Sequence, residues 1–137
     1  MGFLGSQAPN AADLNVITQI IAFCLLLAGV YFVRAAKIKI HSRLMKSAII
    51  IESGALIIWM GPSLILNIEG LRSFTPGVLV TVLHAFGGVF ALILAISAVY
   101  HRTLGSLQLK WTMWLTFLVW ALTAVLGISF YAYYYLV

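Results

Sequence analysis

Three histidines (His41, His84, His101), three acidic residues (Asp13, Glu52, Glu69) and one cysteine (Cys24) are the main groups this 137-residue chain offers for proton, metal or redox chemistry. His84 and Glu52 stand out, because each lies deep inside a long apolar run. Imidazoles and carboxylates in such runs serve proton relays, ion paths and ligand sites. His84 borders a series of small residues, Gly87, Gly88, Ala91 and Ala95, that permits close backbone approach. Its ring therefore faces either a tight helix contact or a flat cofactor. Haem is the flat cofactor to weigh, since histidine ligation and a glycine-lined helix face suit it.

Depth limits the ligand pairs. His84 lies some seven residues inside one end of its run, whereas His41 and His101 sit at the opposite edge, roughly 20 Å away along the helix axis. A His41–His84 pair is excluded within one chain, and His41 with His101 falls among basic residues at headgroup level. Met60 matches His84 in depth, so His84 with Met60 is the intrachain haem b site that geometry allows. Methionine at helical spacing is more often core filling, and no bound cofactor is expected. A metal site from His41, Met45 and Glu52 fails on distance, since Glu52 is about three turns from His41, and no His-Cys-Asp cluster has metal spacing. With no nucleophile–base arrangement or phosphate loop, enzyme chemistry is not expected. Glu52 lies roughly 16 Å into its run, where an ionised carboxylate is costly, so it is either protonated or paired. It must face another helix or a partner subunit. Cys24, alone in an apolar run, reads as a buried structural thiol.

The elements that position these groups follow from composition. The chain is 64% hydrophobic and 8% charged, with mean hydropathy +1.10, against about 25% charged for a soluble domain. Its apolar runs predict an all-α, integral membrane, up-down four-helix bundle forming one domain over residues 1–137, with helices over 14–35, 41–66, 76–100 and 110–136. Asn10 or Asp13 offers the first N-cap, and Thr75-Pro76 reads as N-cap and first position of the third helix. Gly61-Pro62-Ser63 predicts a kink. Residues 67–74 and 101–109 read as links. His41, Met45, Ala48, Glu52, Ala55 and Trp59 recur at alternating four- and three-residue steps and share a face. Trp111 and Trp114 at one end of the last helix, and Tyr131, Tyr133, Tyr134 and Tyr135 at the other, read as interfacial aromatic belts.

Orientation comes from charge. Arg34, Lys37, Lys39, Arg43 and Lys46 occupy the first gap between apolar runs, and Arg102 and Lys110 the third, while Arg72 stands beside Glu69 in the second. Basic residues stay on the cytoplasmic side, which places both termini outside the cell membrane. The net charge is +5 and the pI about 9.7. These charges flank the spans, as topology determinants and anionic-lipid contacts do, and this excludes a nucleic-acid partner. Met1-Gly2 through Ser6 fits a myristoylation pattern, but an outside N-terminus lies away from the acylating machinery. A cleavable signal peptide is not expected, because the basic flank lies C-terminal to the first run.

From His41 onward, roughly 100 residues, the chain resembles the YozB-like family of small four-helix membrane proteins. The matching elements are His41-Ser42-Arg43-Leu44-Met45, Met60-Gly61-Pro62-Ser63, Leu83-His84-Ala85, and Trp120 followed by Gly127 and Tyr131. Some relatives are associated with maturation of haem–copper terminal oxidases, and the resemblance carries over His41, Met45 and His84 as notable positions. Lys110 stands where many relatives have another histidine, and Glu52 replaces a neutral residue. The expected function is a non-catalytic accessory or assembly subunit of a larger membrane metalloenzyme, of terminal-oxidase or copper-dependent monooxygenase type. Its partners would be membrane lipids and other integral membrane subunits. The alternatives are a b-type haem electron carrier using His84, and a small proton or ion transporter using Glu52 and His84.

Overall fold

The computed structural model describes residues 2, 4–5, 7–66, 76–100 and 105–136. The link 67–74, Thr75, His101 and Arg102 lie outside the described residues. Every regular element among the described residues is helical.

The first helix, α1 (Asn10–Arg34), begins four residues before its predicted start. Pro9, in extended conformation, takes the N-cap place, and its carbonyl accepts the N–H groups of Ala12 at 2.9 Å and Asp13 at 3.3 Å. Neither Asn10 nor Asp13 caps the helix: Asp13 lies within the first turn and is fully buried. The C-terminus closes as a Schellman motif, with Lys37 N–H bonded to the Phe32 carbonyl at 2.9 Å and Ala36 N–H to that of Val33 at 3.1 Å. Ala36 holds the left-handed position at φ 56°, where glycine is usual.

The second rod starts three residues ahead of its predicted position. It runs through α2 (Ile38–Ala55), a π-turn (Leu56–Met60) and α3 (Gly61–Leu66) without a break. Pro62 explains the π-turn. Its ring crowds the carbonyl four residues earlier and it has no N–H to donate. The helix widens just ahead of it, so that Gly61 N–H reaches the Leu56 carbonyl, five residues back. The disruption expected at Gly61-Pro62-Ser63 takes the form of this extra residue.

Pro76 is the first residue of α4 (Pro76–Val99), as its fixed φ favours. The last helix, α5 (Ser106–Tyr135), starts four residues before position 110. Gly105 is its N-cap, and the Gln108 side-chain oxygen accepts Gly105 N–H at 3.2 Å.

The helices pack in a square, with α1 beside α2, α2 beside α4, α4 beside α5 and α5 beside α1. Short links make sequence neighbours antiparallel, so one end of the bundle carries both termini and the other carries the basic residues among those described, Arg34, Lys37, Lys39, Arg43, Lys46 and Lys110. The centre is lined mainly by small side chains, Ala22, Ala48, Ala91 and Ala95, with Leu26 and Trp120. Large side chains such as Ile50, Ile57, Phe86 and Leu122 point outward and are at least 65% exposed. Among the described residues, three helical stretches, Asn10–Arg34, Val78–Val99 and Leu107–Tyr135, are long and apolar enough to cross a membrane.

Candidate functional site

His84 sits about 12 Å along α4 from its first residue. Its Nδ1 lies 2.9 Å from the Thr123 carbonyl on α5, and its Nε2 lies 2.9 Å from the side-chain nitrogen of Gln19 on α1. A carbonyl only accepts, so Nδ1 carries the proton, and the bare Nε2 accepts from the Gln19 amide. Both partners are thus satisfied by a neutral imidazole. Because α1 and α4 stand on a diagonal of the square, the Gln19–His84 bond crosses the centre of the bundle. Of the two roles read from the sequence, the tight contact is the one the structure builds. For haem ligation His84 would have to give up at least its bond to Gln19, and Met60 lies in the π-turn rather than on either helix that contacts the ring.

Glycines make room for this arrangement. A Cβ on Gly127 would come within 2.6 Å of the Gln19 side-chain oxygen and would also collide with the His84 ring. One on Gly87 would stand 2.7 Å from the Thr123 hydroxyl, which itself donates to the Val119 carbonyl at 2.7 Å. Gly88 is in ordinary contact range of the Thr123 methyl, and Ala91 and Ala95 continue the same stripe into the core. Gly87, Gly88, Ala91 and Ala95 therefore form a packing face, with Thr123 and Trp120 of α5 among its contacts.

Closer to the termini, the Asp13 carboxylate accepts the Tyr131 hydroxyl and, at 3.0 Å, the backbone N–H of Leu4. Gly2 is buried against the same carboxylate, where a side chain would not fit. Gln7 N–H reaches the Tyr135 carbonyl at 3.5 Å, so the segment before α1 folds back over the end of α5. Tyr131, 8% exposed, is accordingly a buried partner and not part of an outward belt; Tyr133 and Tyr134 are exposed as a belt requires. Cys24 is also exposed, on the outward face of α1, which corrects the expectation of a buried thiol.

Toward the basic end, His41 Nδ1 donates to the Gly29 carbonyl at 2.9 Å, and Met45 closes against Gly29 so tightly that a Cβ there would collide with its terminal methyl. Ala48 and Ala55 are buried on the same face of α2. Glu52 is half-buried there, and its Oε2 is buried without a hydrogen-bond partner among the described residues. Arg34, Lys37, Lys39, Arg43, Lys46 and Lys110 are all exposed. Between the helices at this end lies a cavity of about 630 Å³ with Arg34, His41 and Lys110 around its polar part and Leu26, Ile49 and Trp120 among its walls. Among the described residues no group of three His, Cys, Asp or Glu side chains is placed to share a metal.

Gln19 and Thr123 were not singled out by the sequence reading, although a signal was present. On α1, Asp13, Val16, Gln19, Ala22, Leu26 and Gly29 recur every three or four residues and are the buried stripe. Thr116, Trp120, Thr123, the half-buried Gly127 and Tyr131 do the same on α5. Comparison with known proteins finds no matching family model, no matching curated protein and no matching solved structure.

Proposed function

We propose that this chain is a four-span protein of the cell membrane with both termini outside, acting as a non-catalytic accessory or assembly subunit of a larger membrane metalloenzyme of terminal-oxidase or copper-dependent monooxygenase type. The observation that carries this reading is the use made of the groups able to do chemistry. Both His84 nitrogens, the Asp13 carboxylate and His41 Nδ1 are engaged in holding helices and the N-terminal segment together. The outward Ile, Leu and Phe side chains suit lipid. The charge asymmetry supports the orientation, and the second rod serves as the fourth span, its basic residues at its cytoplasmic entry. The resemblance to YozB-like proteins supports the accessory role. The Glu52 Oε2, buried within this chain without a hydrogen-bond partner among the described residues, turns toward the bundle and away from lipid, as an intramembrane carboxyl should.

The test is purification of the tagged chain in mild detergent, with visible spectra and identification of co-migrating chains. Co-migration with haem- or copper-containing oxidase subunits is expected. Migration alone, with a sharp α-band at one haem per chain that His84→Ala abolishes, would replace this reading by the electron carrier. Glu52→Gln keeps shape and hydrogen bonding, so the complex should still assemble. Loss of the complex with normal insertion would show that Glu52 is a charged partner, at a cost of about 3–5 kcal/mol.

A further inference from the structure

We propose that the cavity at the basic end is a binding site for a membrane phospholipid with an anionic headgroup. Its phosphate would sit between Arg34 and Lys110, and an acyl chain would lie along the apolar wall. The inference rests on the membrane reading above, and deepens it by naming a ligand.

Size and shape come first. A volume of about 630 Å³ lies within the range of small-molecule sites, roughly 300–1,000 Å³. A small soluble anion would occupy only the mouth. The wall is built for hydrocarbon: Leu26, Ile49, Ala95, Phe117 and Trp120 come from four helices and surround the deep part. Ala95 and Ala98 matter here because their short side chains leave the space that larger residues would fill.

Charge then selects the headgroup. Arg34 ends α1 and Lys110 lies in the first turns of α5, so two helices far apart in sequence bring positive charge to one opening. Among the described residues that line it, none is acidic. Basic pockets between spans on the cytoplasmic side hold anionic headgroups. His41 adds a polar group: with Nδ1 committed to the Gly29 carbonyl, its Nε2 is the nitrogen that remains for a ligand. Trp114, at the same opening and half-exposed, suits the headgroup level. A neutral amphiphile would make no use of the paired cations.

The experiment uses the full-length protein, delipidated in detergent, in native mass spectrometry with phosphatidylglycerol and phosphatidylcholine of identical chains. One phosphatidylglycerol should be retained preferentially. Arg34→Gln and Lys110→Gln should each reduce that preference roughly fivefold, and together roughly 30-fold. Ala98→Leu, which fills the cavity without touching the charges, should abolish retention of the single tight lipid. Circular dichroism of each variant should match the parent, which separates loss of the site from loss of the fold. Equal retention of both lipids, unchanged in all variants, would overturn the proposal. Displacement of the lipid by inorganic phosphate at millimolar concentration would overturn the acyl-chain component. Resistance of the protein to carbonate extraction from membranes, measured in parallel, tests the membrane reading separately. An inserted protein without lipid preference refutes only this inference.

Discussion

Where the two termini meet, α1, α4 and α5 are joined by side-chain hydrogen bonds. Gln19, His84 and Thr123 form one set, and Asp13, Tyr131 and Leu4 another. At the basic end the same helices part around a cavity of about 630 Å³, and the bond from His41 to Gly29 ties α2 only to its sequence neighbour α1. The difference lies in residue choice along each buried stripe. Gly87 and Gly127 let polar side chains fit between helices at one end. At the other end, alanines against Met45, Phe117 and Trp120 leave space that no side chain of the described residues fills. Polar side-chain contacts between helices fix their relative position in a way that apolar contacts alone do not. The terminal half is thus built for fixed geometry, and the basic half for accommodation.

Four substitutions probe that contrast, in order of expected effect. Gly127→Val drives a side chain into both His84 and Gln19, and should lower stability by about 3–5 kcal/mol through overpacking and two lost hydrogen bonds. Thermal unfolding in detergent would measure it, and a loss under 1 kcal/mol would mean that the diagonal bond does not hold the bundle. Asp13→Ala leaves the Tyr131 hydroxyl and the Leu4 N–H without this acceptor, at a cost of about 2–4 kcal/mol. Limited proteolysis should then cut the segment before residue 10, while Asp13→Asn, which keeps an acceptor, should protect it better. Ala36→Gly removes the left-handed strain at the basic link and should raise stability by about 0.5–1 kcal/mol. Ala98→Leu, at the cavity, should change stability by less than about 0.5 kcal/mol. A larger destabilisation there would mean that the basic half is as tightly packed as the terminal half.

The helices were legible because long apolar runs, a proline at the start of α4 and charged gaps leave few alternatives. Boundaries slipped where the N-cap residue itself carries no polar side chain: Pro9 and Gly105 offered none to mark them. The small-residue stripe beside His84 was legible from spacing within one helix. Its partners were not. Periodicity assigns residues to a face but does not say how α1 is rotated against α5, more than 100 residues later in the chain, and that rotation decides whether Gln19 meets His84. Tyr131 was misplaced for the same reason. Four tyrosines near one end resemble a belt until Asp13 is brought opposite one of them. Met60 was placed by counting turns of an uninterrupted α-helix, and the π-turn in which it lies was not legible from that count.

That turn has its own consequence for the second rod. One surplus residue shifts angular phase by about 100° for everything beyond it, so the rod is two helices sharing an axis but not a zero point. The face numbered from His41 through Ala55 does not continue into Gly61–Leu66 at the same four- and three-residue steps. Deleting one residue from Leu56–Met60 would restore a single phase, pressing the Pro62 ring onto a carbonyl and turning Ile65 to a new bearing. The insertion works as a built-in offset: it lets the terminal part of the rod present a surface chosen independently of the surface that meets α1 and α4.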